Sequence, residues 1–68
     1  MDDLAGFVRA QRRQAGLTQA ELALKAGVGL RFLRELEQGK QSLRTVTINS
    51  VLAMFGKRLG PVDIPREP

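Results

Sequence analysis

The chain has 68 residues, with 11 Lys and Arg against 7 Asp and Glu for a net charge of +4, no Cys, no His, and three Phe as its aromatic complement. A single domain this short buries only about 60% of the surface its unfolded chain exposes and usually leans on disulfides, a metal or oligomerisation; here the first is excluded, a zinc site is too, and oligomerisation is left. The same gaps remove the commonest general base, the best nucleophile at neutral pH and most of the aromatic wall of a small-molecule pocket, so the composition argues against an enzyme and for a binding module with an anionic partner.

No apolar run approaches the roughly 20 residues of a membrane span, and Met1-Asp2-Asp3 does not read as a secretory signal, which predicts a cytoplasmic protein. Asp2 or Asp3 is suited to cap a first helix whose apolar stripe is Leu4, Phe7, Val8 and Ala15, with Gly6 weakening it and Gly16 ending it. Arg9, Arg12 and Arg13 fall on another face of that helix. Thr18-Gln19-Ala20-Glu21 is a capping box that opens a second helix over roughly 19–26, with Leu22, Ala23 and Ala26 inward and Gly27 at its end. After Val28, Gly29 caps a third helix over roughly 30–38, with Leu33 and Leu36 inward, and Gly39 closes it. Thr45, or alternatively Thr47, caps a fourth helix through about Phe55, on which Ile48, Val51, Leu52 and Phe55 keep helical spacing up to the stop at Gly56. Lys57 to Ile64 alternates loosely through Leu59, Val62 and Ile64 and predicts a short edge strand, with Pro65 to Pro68 as a frayed tip.

The junction of the second and third helices carries the functional reading. Two short helices meet through Ala26-Gly27-Val28-Gly29, the shape of a helix-turn-helix, whose second helix enters the DNA major groove. With Leu33 and Leu36 inward, Leu30, Arg31, Arg34 and Glu35 face out, and an arginine there reaches a guanine edge in bidentate fashion. The alternative is that Arg31 and Arg34 are solvated charges paired with Glu35, Glu37 or Glu21. Thr18 and Gln19 begin a helix, where N–H groups favour a phosphate, and Lys40, Gln41, Ser42 and Arg44 follow the third helix in a polar loop that either holds phosphates or merely links.

Gly16-Leu17-Thr18-Gln19-Ala20-Glu21-Leu22-Ala23, with Ala26-Gly27-Val28 and Leu36-Glu37-Gln38-Gly39-Lys40, resembles the Cro/repressor (XRE-type) helix-turn-helix family. Val28 through Lys40 and Val51 through Leu59 resemble, more narrowly, the HipB-like antitoxins that pair with HipA-type kinase toxins, and the likeness covers residues 4–64. The resemblance implies an all-α bundle of four to five helices over residues 1–56, and a dimerisation strand over 57–64 that pairs across a homodimer through Leu59, Val62 and Ile64. It implies base contacts from Leu30, Arg31, Phe32 and Arg34, and phosphate contacts from Thr18, Gln19, Lys40, Ser42 and Arg44. It also implies a partly buried ion pair between Arg12 and Glu37, for which the alternative is that Arg12 contacts phosphate. Two departures stand out: Gly29 lies where many relatives carry a Ser or Thr cap, and Pro61 removes a strand donor. The expected function is a DNA-binding repressor without cofactor, binding palindromic operator DNA and acting as antitoxin and autoregulator of a kinase toxin operon; a stand-alone repressor and a protein-only adaptor are the alternatives.

Overall fold

The computed structural model describes residues 3–64; Asp2 and the tip at 65–68 lie outside the described residues. Four helices follow in chain order: α1 (Leu4–Gln14), α2 (Gln19–Ala26), α3 (Leu30–Glu37) and α4 (Thr45–Ala53). Asp3 caps α1, its carboxylate accepting from the Gly6 N–H. A Cβ at Gly6 would lie 3.0 Å from that carboxylate, so the glycine that weakens the helix by propensity also leaves room for its cap. The α2 box is closed in both directions: the Thr18 hydroxyl accepts from the Glu21 N–H at 3.1 Å, and the Thr18 N–H donates to the Glu21 carboxylate at 2.8 Å.

Val8, Leu22, Ala23, Leu33, Leu36, Ile48, Val51 and Leu52 form one buried cluster, with α3 packed on both α1 and α2 and α2 packed on α4. Leu4, Phe7, Leu17, Val28 and Phe55 lie partly buried around it. Ala15, expected in the α1 stripe, is exposed, because α1 ends at Gln14 and Ala15 is already its C-cap. Neither Thr45 nor Thr47 caps α4. Arg44 holds the extended cap conformation with no side-chain hydrogen bond and Thr45 is the first helical residue, so the helix is shifted against its polar signals by the need to bury Ile48, Val51 and Leu52. α4 also stops at Ala53, short of Phe55, and a turn carries the chain through Gly56.

No strand is present among the described residues, and 57–64 has no regular secondary structure. A strand is made by pairing with a backbone about 4.8 Å away, and among the described residues no other segment pairs with this one. Leu59 packs on the core, whereas Val62 and Ile64 stand in solvent. Among the described residues no helix is long and apolar enough to cross a membrane.

Gly29 is the N-cap of α3 and forms no side-chain cap bond. Its backbone is extended at φ −72°, and a Cβ there meets nothing within 4 Å. Gly29→Ser is therefore expected to raise stability by about 0.5–1 kcal/mol, through a new cap bond and a less free unfolded chain. Thermal melting followed by circular dichroism checks this; a lower midpoint contradicts it.

Candidate nucleic-acid interface

The turn between α2 and α3 is built on Gly27, which takes the left-handed conformation at φ 72°, where a Cβ would be strained whatever the space around it. The Val28 N–H returns to the Ala23 carbonyl at 3.0 Å, and the half-buried Val28 side chain fills the angle between the helices. That angle sets the direction of α3.

On α3, Leu33, Leu36 and Glu37 are buried, while Arg31 and Arg34 are exposed. The Arg31 side chain is 92% exposed, with its Nε 3.5 Å from a Glu35 carboxylate oxygen. Lys40 reaches the same oxygen at 3.4 Å, so one carboxylate holds a cation from the helix and one from the following loop. Such exposed pairs contribute about 0–1 kcal/mol and open readily. Arg34 has no ion pair among the described residues. Leu30 and Phe32 are half-buried and pack in part against the core.

The expected phosphate residues do not all stand alike. Lys40, Ser42 and Arg44 are exposed on the loop after α3 and at the start of α4. Thr18 is exposed, but its hydroxyl accepts from the Glu21 N–H and its own N–H donates to the Glu21 carboxyl; that backbone donor first, and the Thr18 hydroxyl beside it, hold the carboxyl below the usual range. Among the described residues the N–H groups of Gln19 and Ala20 are left without acceptors at that helix start, where the dipole favours an anion. The Gln19 side chain turns inward instead, its amide donating to Glu37 at 3.0 Å.

Glu37 is the buried centre that holds α3 in place. The Arg12 Nε and a second guanidinium nitrogen donate to its two carboxylate oxygens at 2.8 and 3.0 Å, a bidentate pair with side chains 12% and 2% exposed. Arg12 also donates to the Leu17 carbonyl at 3.0 Å, and Arg9 donates to the Glu37 carbonyl, capping the negative end of α3. Burial by itself raises the Glu37 carboxyl, but the Arg12 and Gln19 hydrogen bonds, with the charges of Arg12 and Arg9, outweigh it and hold the group below the ordinary carboxylate value. The Arg12 guanidinium is raised in turn, chiefly by its hydrogen bonds to Glu37. All three guanidinium nitrogens of Arg12 are thereby engaged within the protein. The family likeness implies that Gln19 supports neighbouring side chains as well as phosphate, and the neighbour it supports is Glu37; Arg9, and Asn49, which accepts from the Leu59 N–H at 2.8 Å, have no role in the sequence reading, where only the one-turn spacing of Arg9 from Arg12 hints at the first of them.

A family model described as helix-turn-helix matches residues 8–61. An uncharacterized HTH-type transcriptional regulator of Sinorhizobium fredii is 43% identical over 54 residues, which make up 79% of this chain and 71% of that protein.

Proposed function

Since the chain belongs to the helix-turn-helix family, we propose that it is a cytoplasmic, sequence-specific DNA-binding repressor that works as a homodimer on palindromic operator DNA. The outward face of α3 carries this reading: Arg31 and Arg34 stand exposed on a short helix whose inner face is fixed by Leu33, Leu36 and Glu37. Arg31 and Arg34 read base edges, helped by the outer edges of Leu30 and Phe32. Lys40, Ser42, Arg44 and the start of α2 at Thr18 and Gln19 hold phosphates. On binding, Arg31 exchanges Glu35 for a base, and Lys40 exchanges it for a phosphate.

Arg31→Ala and Arg34→Ala are each expected to lose about 1–3 kcal/mol of discrimination at one base position per half-site, while Lys40→Ala weakens all sequences evenly and lowers the salt slope by about 1. Binding titrations on selected operator and random duplexes at several salt concentrations check this. A loss from Arg34→Ala that is equal on both duplexes demotes it to a phosphate contact.

The finer reading is that this repressor is the antitoxin and operon autoregulator of a HipA-type kinase toxin. It is supported by the likeness of Val28–Lys40 and Val51–Leu59 to HipB-like antitoxins. The transcriptional regulator of Sinorhizobium fredii supports the broader repressor reading. A kinase-like gene adjoining this one separates the antitoxin from a stand-alone repressor, and salt-dependent DNA binding separates both from a protein-only adaptor.

A further inference from the structure

Between Glu21 and Asp63 the sequence holds two carboxylates, Glu35 and Glu37. Glu37 is buried on Arg12, so Glu35, with a side chain 26% exposed, is the one carboxylate of this stretch that meets solvent. Its place beside Lys40 is set by the backbone. After the Gln38 cap of α3, Gly39 takes the left-handed conformation at φ 87°. That turn returns the Lys40 N–H to the Glu35 carbonyl and the Gly39 N–H to the Leu36 carbonyl, each at 3.1 Å, the two bonds of a Schellman motif. Lys40 therefore lies over Glu35 whatever rotamers the two side chains take, and its ammonium stands 3.4 Å from the carboxylate. Arg31 reaches the same oxygen from one turn earlier, at 3.5 Å. Arg34 adjoins Glu35 in sequence, but neighbouring positions do not face each other on a helix, and it has no ion pair among the described residues.

The two pairs differ in when they must break. A lysine that holds phosphate leaves Glu35 on any duplex, because every duplex offers phosphates. A base-reading arginine leaves it only where a guanine edge is in register, and elsewhere it keeps the carboxylate. Random DNA thus breaks one pair and the operator breaks both. An exposed pair is worth up to about fivefold in an equilibrium constant. A bidentate guanine contact is worth about 5- to 150-fold, so Arg31 still changes partner on the operator, with part of its gain cancelled.

We propose, resting on the DNA-binding reading above, that Glu35 is a specificity-determining residue of negative sign, an internal stand-in for phosphate. It competes with DNA for Lys40 on every sequence and for Arg31 on the operator alone. Both the affinity and the selectivity of the protein are thereby held below what its cations alone would give.

Binding titrations of Glu35→Gln on a duplex selected by the parent protein and on a random duplex test this, with double-mutant cycles in Arg31→Ala, Lys40→Ala and Arg34→Ala backgrounds. Glu35→Gln is expected to bind random DNA about two- to fivefold more tightly and the selected duplex about 4- to 25-fold more tightly. The Lys40→Ala background removes the gain that the two duplexes share. The Arg31→Ala background removes the extra gain on the selected duplex, and the Arg34→Ala background keeps both gains. Thermal melting of the same samples checks the fold, and Glu35→Met, equally unable to form an ion pair, replaces a Glu35→Gln that does not fold. A folded variant that binds the selected duplex more weakly than the parent overturns the proposal, since Glu35 then organises its cations for DNA. A gain equal on both duplexes and unchanged in all three backgrounds also overturns it, as the effect of one charge in the general field. A parent chain with no salt-dependent binding to any duplex overturns the DNA-binding reading itself.

Discussion

Arg12→Met is expected to unfold the protein at room temperature or nearly so. The substitution leaves the Glu37 carboxylate, 2% exposed, with a single amide donor from Gln19 and the more distant charge of Arg9. Removing one member of a buried pair costs about 3–5 kcal/mol, because the other charge stays in the interior uncompensated. A chain of this length has a total stability of roughly 3–10 kcal/mol. Arg12→Met with Glu37→Met removes both charges and is expected to recover most of the loss, an outcome that a phosphate-contact role for Arg12 does not produce. The pH dependence carries the same signature. In the parent protein Glu37 titrates below its ordinary value near 4.5, so its contribution is whole above that value and is lost as pH falls below it. In Arg12→Met burial outweighs the remaining donors and raises Glu37, so acidification from neutrality toward the ordinary carboxylate range should stabilise the variant. Denaturant melts across that range decide it: a variant with the parent's acid profile contradicts the assignment.

The second large effect is expected from Leu33→Ala. Leu33 has no exposed surface and sits on the inner face of α3, in the cluster with Leu22, Leu36, Val8 and Val51. Truncation to alanine removes buried apolar area and leaves a cavity, for about 2–5 kcal/mol. In a core of eight clustered residues few neighbours are free to collapse into the gap, which places the cost toward the upper end of that range. The midpoint of urea unfolding should fall sharply, and DNA binding should fail together with folding. Arg34→Ala, one residue away on the exposed face, should leave the same midpoint unchanged. If Leu33→Ala melts like the parent protein, α3 is not seated by its inner face.

What the sequence discloses here is what depends on near neighbours. The Thr18–Glu21 box, the left-handed Gly27, and the inward set Leu22, Ala23, Leu33 and Leu36 each follow from contacts within a turn or two, and each stands in the structure. The Arg12–Glu37 contact spans 25 residues and was visible only as a family likeness, since charge spacing pairs Arg12 with nothing in particular. Gln19 reads as a phosphate group because it begins a helix, and only the family likeness adds support of neighbouring side chains; the partner its amide finds, Glu37, lies 18 residues away, which no local pattern encodes. At Thr45 the local rule names the hydroxyl as a cap, whereas burial of Ile48 and Val51 decides where α4 starts and makes Thr45 its first helical residue. Leu59, Val62 and Ile64 read as one apolar set, but the structure divides them: Leu59 packs on the core with its N–H held by Asn49, ten residues away, while Val62 and Ile64 stand exposed.

The division of α3 into a fixed inner face and an open outer one also bears on how such a protein changes over generations. Arg31 and Arg34 share no side-chain partner with Leu33, Leu36 or Glu37, so a substitution outside leaves the scaffold inside intact, and the two kinds of effect add independently. Duplicated copies are then free to diverge on the outer face of α3 without first drifting in stability. Glu35 is the exception: by touching both Arg31 and Lys40 it ties a cation of the helix to one of the following loop, so a change at either is felt at the other.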